Sequence, residues 1–158
     1  MPVSQDEFRN ALSRFPSGVA VVTTKDAGGS LHGITVSAFC SVSLTPPMVL
    51  ICIEKATASH DSFSESGVFA VNILGESRQD LSEHFATPIA NKFENVDFRP
   101  GIEGVPVLKD ALANVECRLQ HVYEGGDHTI FVGLVESVTI RDGDPLIYFH
   151  HEYAGVKH

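Results

Sequence analysis

The sequence predicts a mainly β fold, one antiparallel barrel or sandwich with a few helices at its edges. Three observations point there. Ala113, Val115, Cys117, Leu119, His121 and Tyr123 alternate with Asn114, Glu116, Arg118 and Gln120, the period of a half-buried antiparallel strand. Gly125, Gly126 and Asp127 then turn the chain into a second long β-like stretch over 128–140. Elsewhere the neighbouring elements join through short turns rather than crossover helices.

Taken in order, the first element is a helix. Ser4 and Glu7 have capping-box spacing, and Phe8, Ala11, Leu12 and Phe15 follow at helical intervals until Pro16 and Gly18 stop it. Residues 19–24 read as a strand and 26–30 as a turn. Residues 32–44 form one long β-like stretch dense in hydroxyls, broken by Pro46 and Pro47. The apolar run 48–53 suits a strand buried on both faces. A helix over 59–66 begins at a hydroxyl cap and ends at Gly67. Another buried strand covers 69–74, and a helix 78–85. Residues 87–105 lack a steady period and are expected to form a long connecting or functional loop. After the two long strands, residues 141–145 turn the chain into a last strand over 146–150, and Gly133 within an apolar strand points to a bulge or a close backbone approach.

Composition narrows the partners. The 158 residues are 43% hydrophobic and 20% charged, one domain's worth of ordinary globular protein with a sizeable core. Eleven Lys and Arg against 20 Asp and Glu leave a net charge of −9 with no basic patch, which argues against nucleic acid. No apolar run approaches the ~20 residues that cross a bilayer, so no membrane partner is expected. Cys40, Cys52 and Cys117 form no Cys-x-x-Cys pair, and each has the apolar neighbours of a buried free thiol. With no basic-then-apolar leader in residues 4–14, the expected setting is cytoplasmic and reducing.

Motifs exclude more. No glycine fingerprint follows a strand, and P-loop, Gly-x-Ser-x-Gly and His-Glu-x-x-His motifs are absent. No metal site is expected, since the adjacent His150 and His151 would point to opposite faces of a strand. Two segments remain. Thr35 and Ser37 on one strand face make either a hydroxyl row beside free N–H groups, able to bind phosphate, or the polar face of an edge strand. His128, after the glycine turn, is either a structural residue or a functional one.

Taken together, these segments resemble the flavin reductase family, the NAD(P)H:flavin oxidoreductases that serve two-component monooxygenases. The resemblance is carried by Phe15-Pro16-Ser17-Gly18-Val19-Ala20-Val21-Val22-Thr23-Thr24, by His32-Gly33-Ile34-Thr35-Val36-Ser37-Ala38-Phe39 and by Ser41-Val42-Ser43-Leu44-Thr45-Pro46-Pro47. It continues through Phe69-Ala70-Val71-Asn72-Ile73-Leu74, Leu81-Ser82, Gly126-Asp127-His128-Thr129-Ile130-Phe131-Val132-Gly133 and Pro145-Leu146-Ile147-Tyr148-Phe149.

The resemblance implies an FMN-binding split β-barrel, antiparallel and of Greek-key type, with a few peripheral helices. It implies one flavin reductase-like domain over 1–158, a homodimer, and a flavin-dependent monooxygenase as partner. FMN or FAD would lie against Thr35, Val36, Ser37, Ala38 and Ser41, the loop bearing Glu54, Lys55, Ala56 and Ser59, and the pair Lys92 and Phe93. Taken alone, Lys92 reads equally as a solvated lysine and Phe93 as a loop anchor. His128 would be the catalytic residue on the nicotinamide side, with Tyr148, Phe149, His150, His151 and Tyr153 lining the same space. His150-His151-Glu152-Tyr153 departs from the small or basic sequence that relatives often carry there. NADH is favoured over NADPH because no basic cluster awaits a 2′-phosphate. The implied chemistry is hydride transfer from nicotinamide C4 to flavin N5, carried by the cofactor without nucleophile or metal. The competing readings are a non-catalytic electron-transfer flavoprotein and a pyridoxamine-phosphate oxidase-like oxidase on a related barrel.

Overall fold

The computed structural model describes residues 2–158. Helix α1 (Gln5–Leu12) starts with the expected capping box, in which Ser4 N–H donates to Glu7 Oε2 at 3.0 Å and Glu7 N–H to Ser4 Oγ at 3.1 Å. The chain continues through β1 (Ser17–Gly18), β2 (Ala20–Lys25), β3 (Leu31–Val36), β4 (Phe39–Ser43), β5 (Met48–Glu54), α2 (His60–Ser66), β6 (Val68–Ile73) and α3 (Gln79–Ala86). Short β7 (Phe98–Pro100) and β8 (Pro106–Leu108) precede the long hairpin of β9 (Ala113–Gly125) and β10 (His128–Ile140), and β11 (Ile147–Phe149) and β12 (Glu152–Ala154) end the fold.

The fold is mainly β and antiparallel. One seven-stranded sheet runs β3-β2-β6-β9-β10-β5-β4, and β1-β11-β12 and β7-β8 form two smaller ones. The large sheet must curl. Laid flat, its strands would span about 29 Å at ~4.8 Å spacing, yet the link from Val36 to Phe39 between its two edge strands reaches at most about 11 Å. Curling encloses a core of Val22, Ile51, Ile53, Phe63, Phe69, Val71 and Phe131. Outside the curl, Val21, Leu74, Leu81, Phe85, Phe93 and Leu108 pack under α3. That second layer is why β2 and β6 are buried along almost their whole length, on both faces. The side-chain amides of Asn72 and Asn114 are buried there without loss, since Asn72 Oδ1 accepts from Leu108 N–H at 3.0 Å and from Asn114 Nδ2 at 2.8 Å.

Several expectations change. The 48–53 run is not buried on both faces: Val49, Ile51 and Ile53 point inward, while Met48, Leu50 and Cys52 are half-buried, because nothing among the described residues covers β5 from outside. The 87–105 stretch contains β7, which pairs with β8 and carries Arg99 to the buried Glu116 at 3.3 Å. That layer also buries Asn114 and Glu116 on the β9 face expected to be solvated. Toward the hairpin tip both faces of β9 are exposed, His121 and Tyr123 included. Gly133 meets its expectation: the β9–β10 register shifts beside it, and a Cβ there would lie 2.6 Å from the Phe69 ring. Of the three free thiols only Cys117 is fully buried, and burial pushes its pKa up to about 12, whereas Cys40 is exposed.

Candidate functional site

The hydroxyl stretch does not run as one strand. β3 ends at Val36, and Phe39 N–H donates to Ser37 O at 3.0 Å, so Ser37 and Ala38 make a tight corner before β4. The corner separates the hydroxyls that one continuous strand would have placed side by side. Thr35 Oγ1 points back and donates to Ser82 O of α3 at 2.6 Å. Ser37, Ala38 and Ser41 are exposed in front.

Behind β3, the space is filled. Gly33 lets α3 approach, since a Cβ there would sit 2.7 Å from the Phe85 ring. Lys92 Nζ donates to Gly33 O at 3.1 Å and to Phe85 O at 2.8 Å, with burial lowering its pKa. Phe93 is buried and packs edge-on between Phe85 and Phe98. The lysine and phenyl ring that the resemblance placed against the flavin are, in this chain, internal ties of the loop to β3. Thr35 is spent in the same way. Tyr153 faces this layer too, its hydroxyl 2.7 Å from Ser82 Oγ.

In front, a cleft of about 860 Å³ opens between the corner, α1 and the β11–β12 turn. Its volume is in the range of small-molecule sites. Of the expected residues it brings together Val36, Ser37, Tyr148, His150 and His151. Phe8, Arg9, Leu12 and Phe15 also line it, as do Phe39 and Cys40, and sequence reasoning had assigned none of these. The signal was present in α1, an amphipathic helix whose apolar side chains find no core: Phe8 is 60% and nearby Phe15 76% exposed. Phe149, next to Tyr148, is exposed.

The remaining expected residues gather farther along β5. Ala38 O accepts from Cys52 N–H at 3.1 Å, which seats the corner beside that strand. Two residues on, Glu54 pairs in register with His128. Lys55 N–H donates to Asp127 O at 2.9 Å, and its ammonium pairs with Glu124. His128 Nδ1 is 2.7 Å from Asp127 Oδ1, and this contact holds the carboxyl below the usual range. The loop that includes exposed Ala56 ends at Ser59. Ser59 occupies the α2 N-cap without capping it; its hydroxyl lies 3.3 Å from His32 Nδ1, and His32 Nε2 is 2.9 Å from Asp26 Oδ2.

Residues 12–157 match the family model described as a flavin reductase like domain. The chain is 44% identical over 141 residues to the FMN reductase (NADH) SmoA of Agrobacterium fabrum, covering 89% of this chain and 80% of that protein. It is 40% identical over 152 residues to the reductase component of the 4-nitrophenol 4-monooxygenase/4-nitrocatechol 2-monooxygenase of Rhodococcus opacus, with 96% and 81% covered. It spans only 41% of the probable flavin reductase of Rhizobium meliloti, to which it is 42% identical over 128 residues, 81% of this chain. Among solved structures, the NADH:FAD oxidoreductase SgcE6 of Streptomyces globisporus, in complex with NAD and FAD fragments, superposes with a TM-score of 0.91 at 35% identity, covering 98% of this chain and 93% of that one. A match this long takes in the corner, both walls of the cleft and the His128 turn alike, and on that extent the chain belongs to the flavin reductase family.

Proposed function

We propose that the chain is an NADH-dependent flavin reductase that supplies reduced FMN or FAD to a flavin-dependent monooxygenase. The observation that carries this reading is the exposed serine corner opening onto an aromatic cleft. Its donor set fits a flavin: the hydroxyls of Ser37 and Ser41 stand exposed, while Val36, Phe39 and Tyr148 offer apolar surface to a flat ring. When bound, the flavin supplies the hydride acceptor, and the reduced nicotinamide supplies the hydride.

The chain's own residues bind, orient and exclude water. Ser37, Ala38 and Ser41 would hold the flavin, with Val36 and the loop of Glu54, Lys55, Ala56 and Ser59 alongside. His128, anchored through Nδ1 by Asp127, keeps Nε2 for orienting the nicotinamide. Tyr148 and Phe149 would line the nicotinamide side with His150 and His151, and Tyr153 would support them from behind. The curled sheet is read as a split barrel in one domain. Its Greek-key character rests on β5 and β6, consecutive in the chain, flanking the β9–β10 hairpin. Exposed Val122, Tyr123, Val138 and Ile140 on the hairpin support a homodimer burying at least ~1,600 Å². A cytoplasmic setting fits the free thiols.

The test is NADH oxidation by flavin-free protein with FMN, FAD, riboflavin or no flavin. Oxidation is expected only with flavin present, and equal consumption without it overturns the reading. Sedimentation showing a monomer at micromolar concentration overturns the dimer.

A further inference from the structure

The cleft is electrically unlike the rest of the molecule. The chain carries 20 acidic side chains and a net charge of −9, yet none of those acids lines this opening. The basic residues that do line it are Arg9, His150 and His151. Among the described residues, arginine ion pairs belong to Arg78, Arg99 and Arg118, so the Arg9 guanidinium is left unpaired. A concavity walled by apolar rings and rimmed only by bases focuses a positive potential and gathers anions.

The backbone of the rim is also unusual. Phe149 pairs with Glu152, so His150 and His151 are the two residues of a tight hairpin turn. Their φ angles are 52° and 64°, both left-handed, at positions where Asn-Gly is the favoured pair. Two side chains with a Cβ are strained there, and such strain points to a use for the side chains themselves. The turn is also fixed in place: His150 N–H donates to Ser13 O at 2.9 Å, just past the end of α1. Arg9 lies four residues before Ser13, one helical turn back, and both line the cleft. The bond therefore sets two imidazoles and one guanidinium around a single opening.

We propose that Arg9, His150 and His151 form a phosphate-binding rim that takes the diphosphate of the nicotinamide dinucleotide, with its flat rings against the aromatic wall formed by Phe15 and Tyr148. This rests on the NADH reading above. The guanidinium fork matches two phosphate oxygens at once, and each imidazole N–H adds a directional donor. FMN and FAD also carry phosphates, so the test includes NAD+ and FAD to separate the sources.

The experiment is calorimetric titration of the protein with ADP, NAD+, FMN, FAD and riboflavin, repeated on Arg9→Ala, Arg9→Lys and the double variant His150→Asn, His151→Gly. All should fold, since Arg9 is exposed and Asn-Gly suits the turn. Arg9→Ala is expected to weaken ADP at least tenfold, Arg9→Lys less, with the ratio of FMN to riboflavin affinity unchanged. The double variant should weaken ADP severalfold while raising Tm, a split that a purely structural turn would not produce. ADP that fails to bind the parent protein, or binds all variants equally, overturns the proposal. A loss for FMN or FAD that is absent for NAD+ and riboflavin also overturns it, assigning the anion to the flavin. If ADP binding depends on Arg9 but NADH is not oxidised with any flavin, the rim stands and the reductase reading fails.

Discussion

Behind β3 the Thr35 hydroxyl and the Lys92 ammonium are tied to backbone carbonyls, and in front of the β3–β4 corner the chain is open. Thr35 and Ser37 lie two residues apart in one hydroxyl-rich stretch, yet Thr35 Oγ1 is committed to Ser82 O at 2.6 Å while Ser37 is exposed beside the cleft. Lys92 and Phe93 fill the space behind Gly33; Phe8, Phe15 and Tyr148 stand around a space in front. The two sides use the same residue types for opposite ends. A satisfied, packed group contributes to stability, whereas an exposed hydroxyl or ring contributes nothing until a ligand arrives.

Substitutions behind the strand should therefore lower stability, and substitutions in front should lower ligand affinity. The largest effect is expected from Phe85→Ala, which removes a fully buried ring meeting Phe93 edge-on at 5.2 Å. Denaturant unfolding should show a loss of about 3–5 kcal/mol. A loss under 1 kcal/mol would mean that α3 and its loop are not fastened to β3 as described.

Ser37→Ala comes next, with the opposite signature. Flavin affinity should fall by about 1.5–3 kcal/mol where the lost bond was to a charged group, with stability within about 0.5 kcal/mol of the parent. A stability loss without an affinity loss would move Ser37 to the tied side of the comparison.

Lys92→Met keeps the apolar stem but strips the donor from the carbonyls of Gly33 and Phe85. Leaving these without their partner should cost about 1–3 kcal/mol of stability. Flavin affinity measured well below the melting range should not follow. If affinity falls while stability holds, the lysine serves the ligand after all. Thr35→Val, nearly isosteric, removes one bond to Ser82 O and should cost about 1 kcal/mol by the same unfolding assay.

The smallest effect is on labelling rather than energy. Cys40 lines the cleft and is exposed, whereas the Cys117 thiol, pushed up to about 12 by burial, stays protonated at neutral pH. Mass spectrometry after alkylation of the native protein should find Cys40 modified and Cys117 untouched until denaturant is added. Early labelling at Cys117 would show that the interior opens more readily than its packing implies.

Much of the fold was legible because its signals are local. The capping box of Ser4 and Glu7, the Gly67 helix stop in its left-handed conformation, and the glycine turn between β9 and β10 all formed where the pattern placed them. The candidate site was legible only in part. Val36, Ser37, Tyr148, His150 and His151 share the cleft, but Lys92 and Phe93 turned inward. A lysine in an aperiodic loop looks the same whether it meets solvent or a carbonyl 59 residues away.

By itself, then, the sequence determined the β class, most strand positions, the tight turns and, through its motifs, the family. Each depends on residues within a few positions of one another, where period, caps and turn chemistry act. Only the tertiary structure decided which hydroxyls are free, which apolar faces stay bare and which bases surround the cleft. The cleft joins a helix near the start of the chain to a hairpin near its end through the bond from His150 N–H to Ser13 O. The curl of the sheet brings those segments together, and no local pattern encodes a contact between residues so far apart.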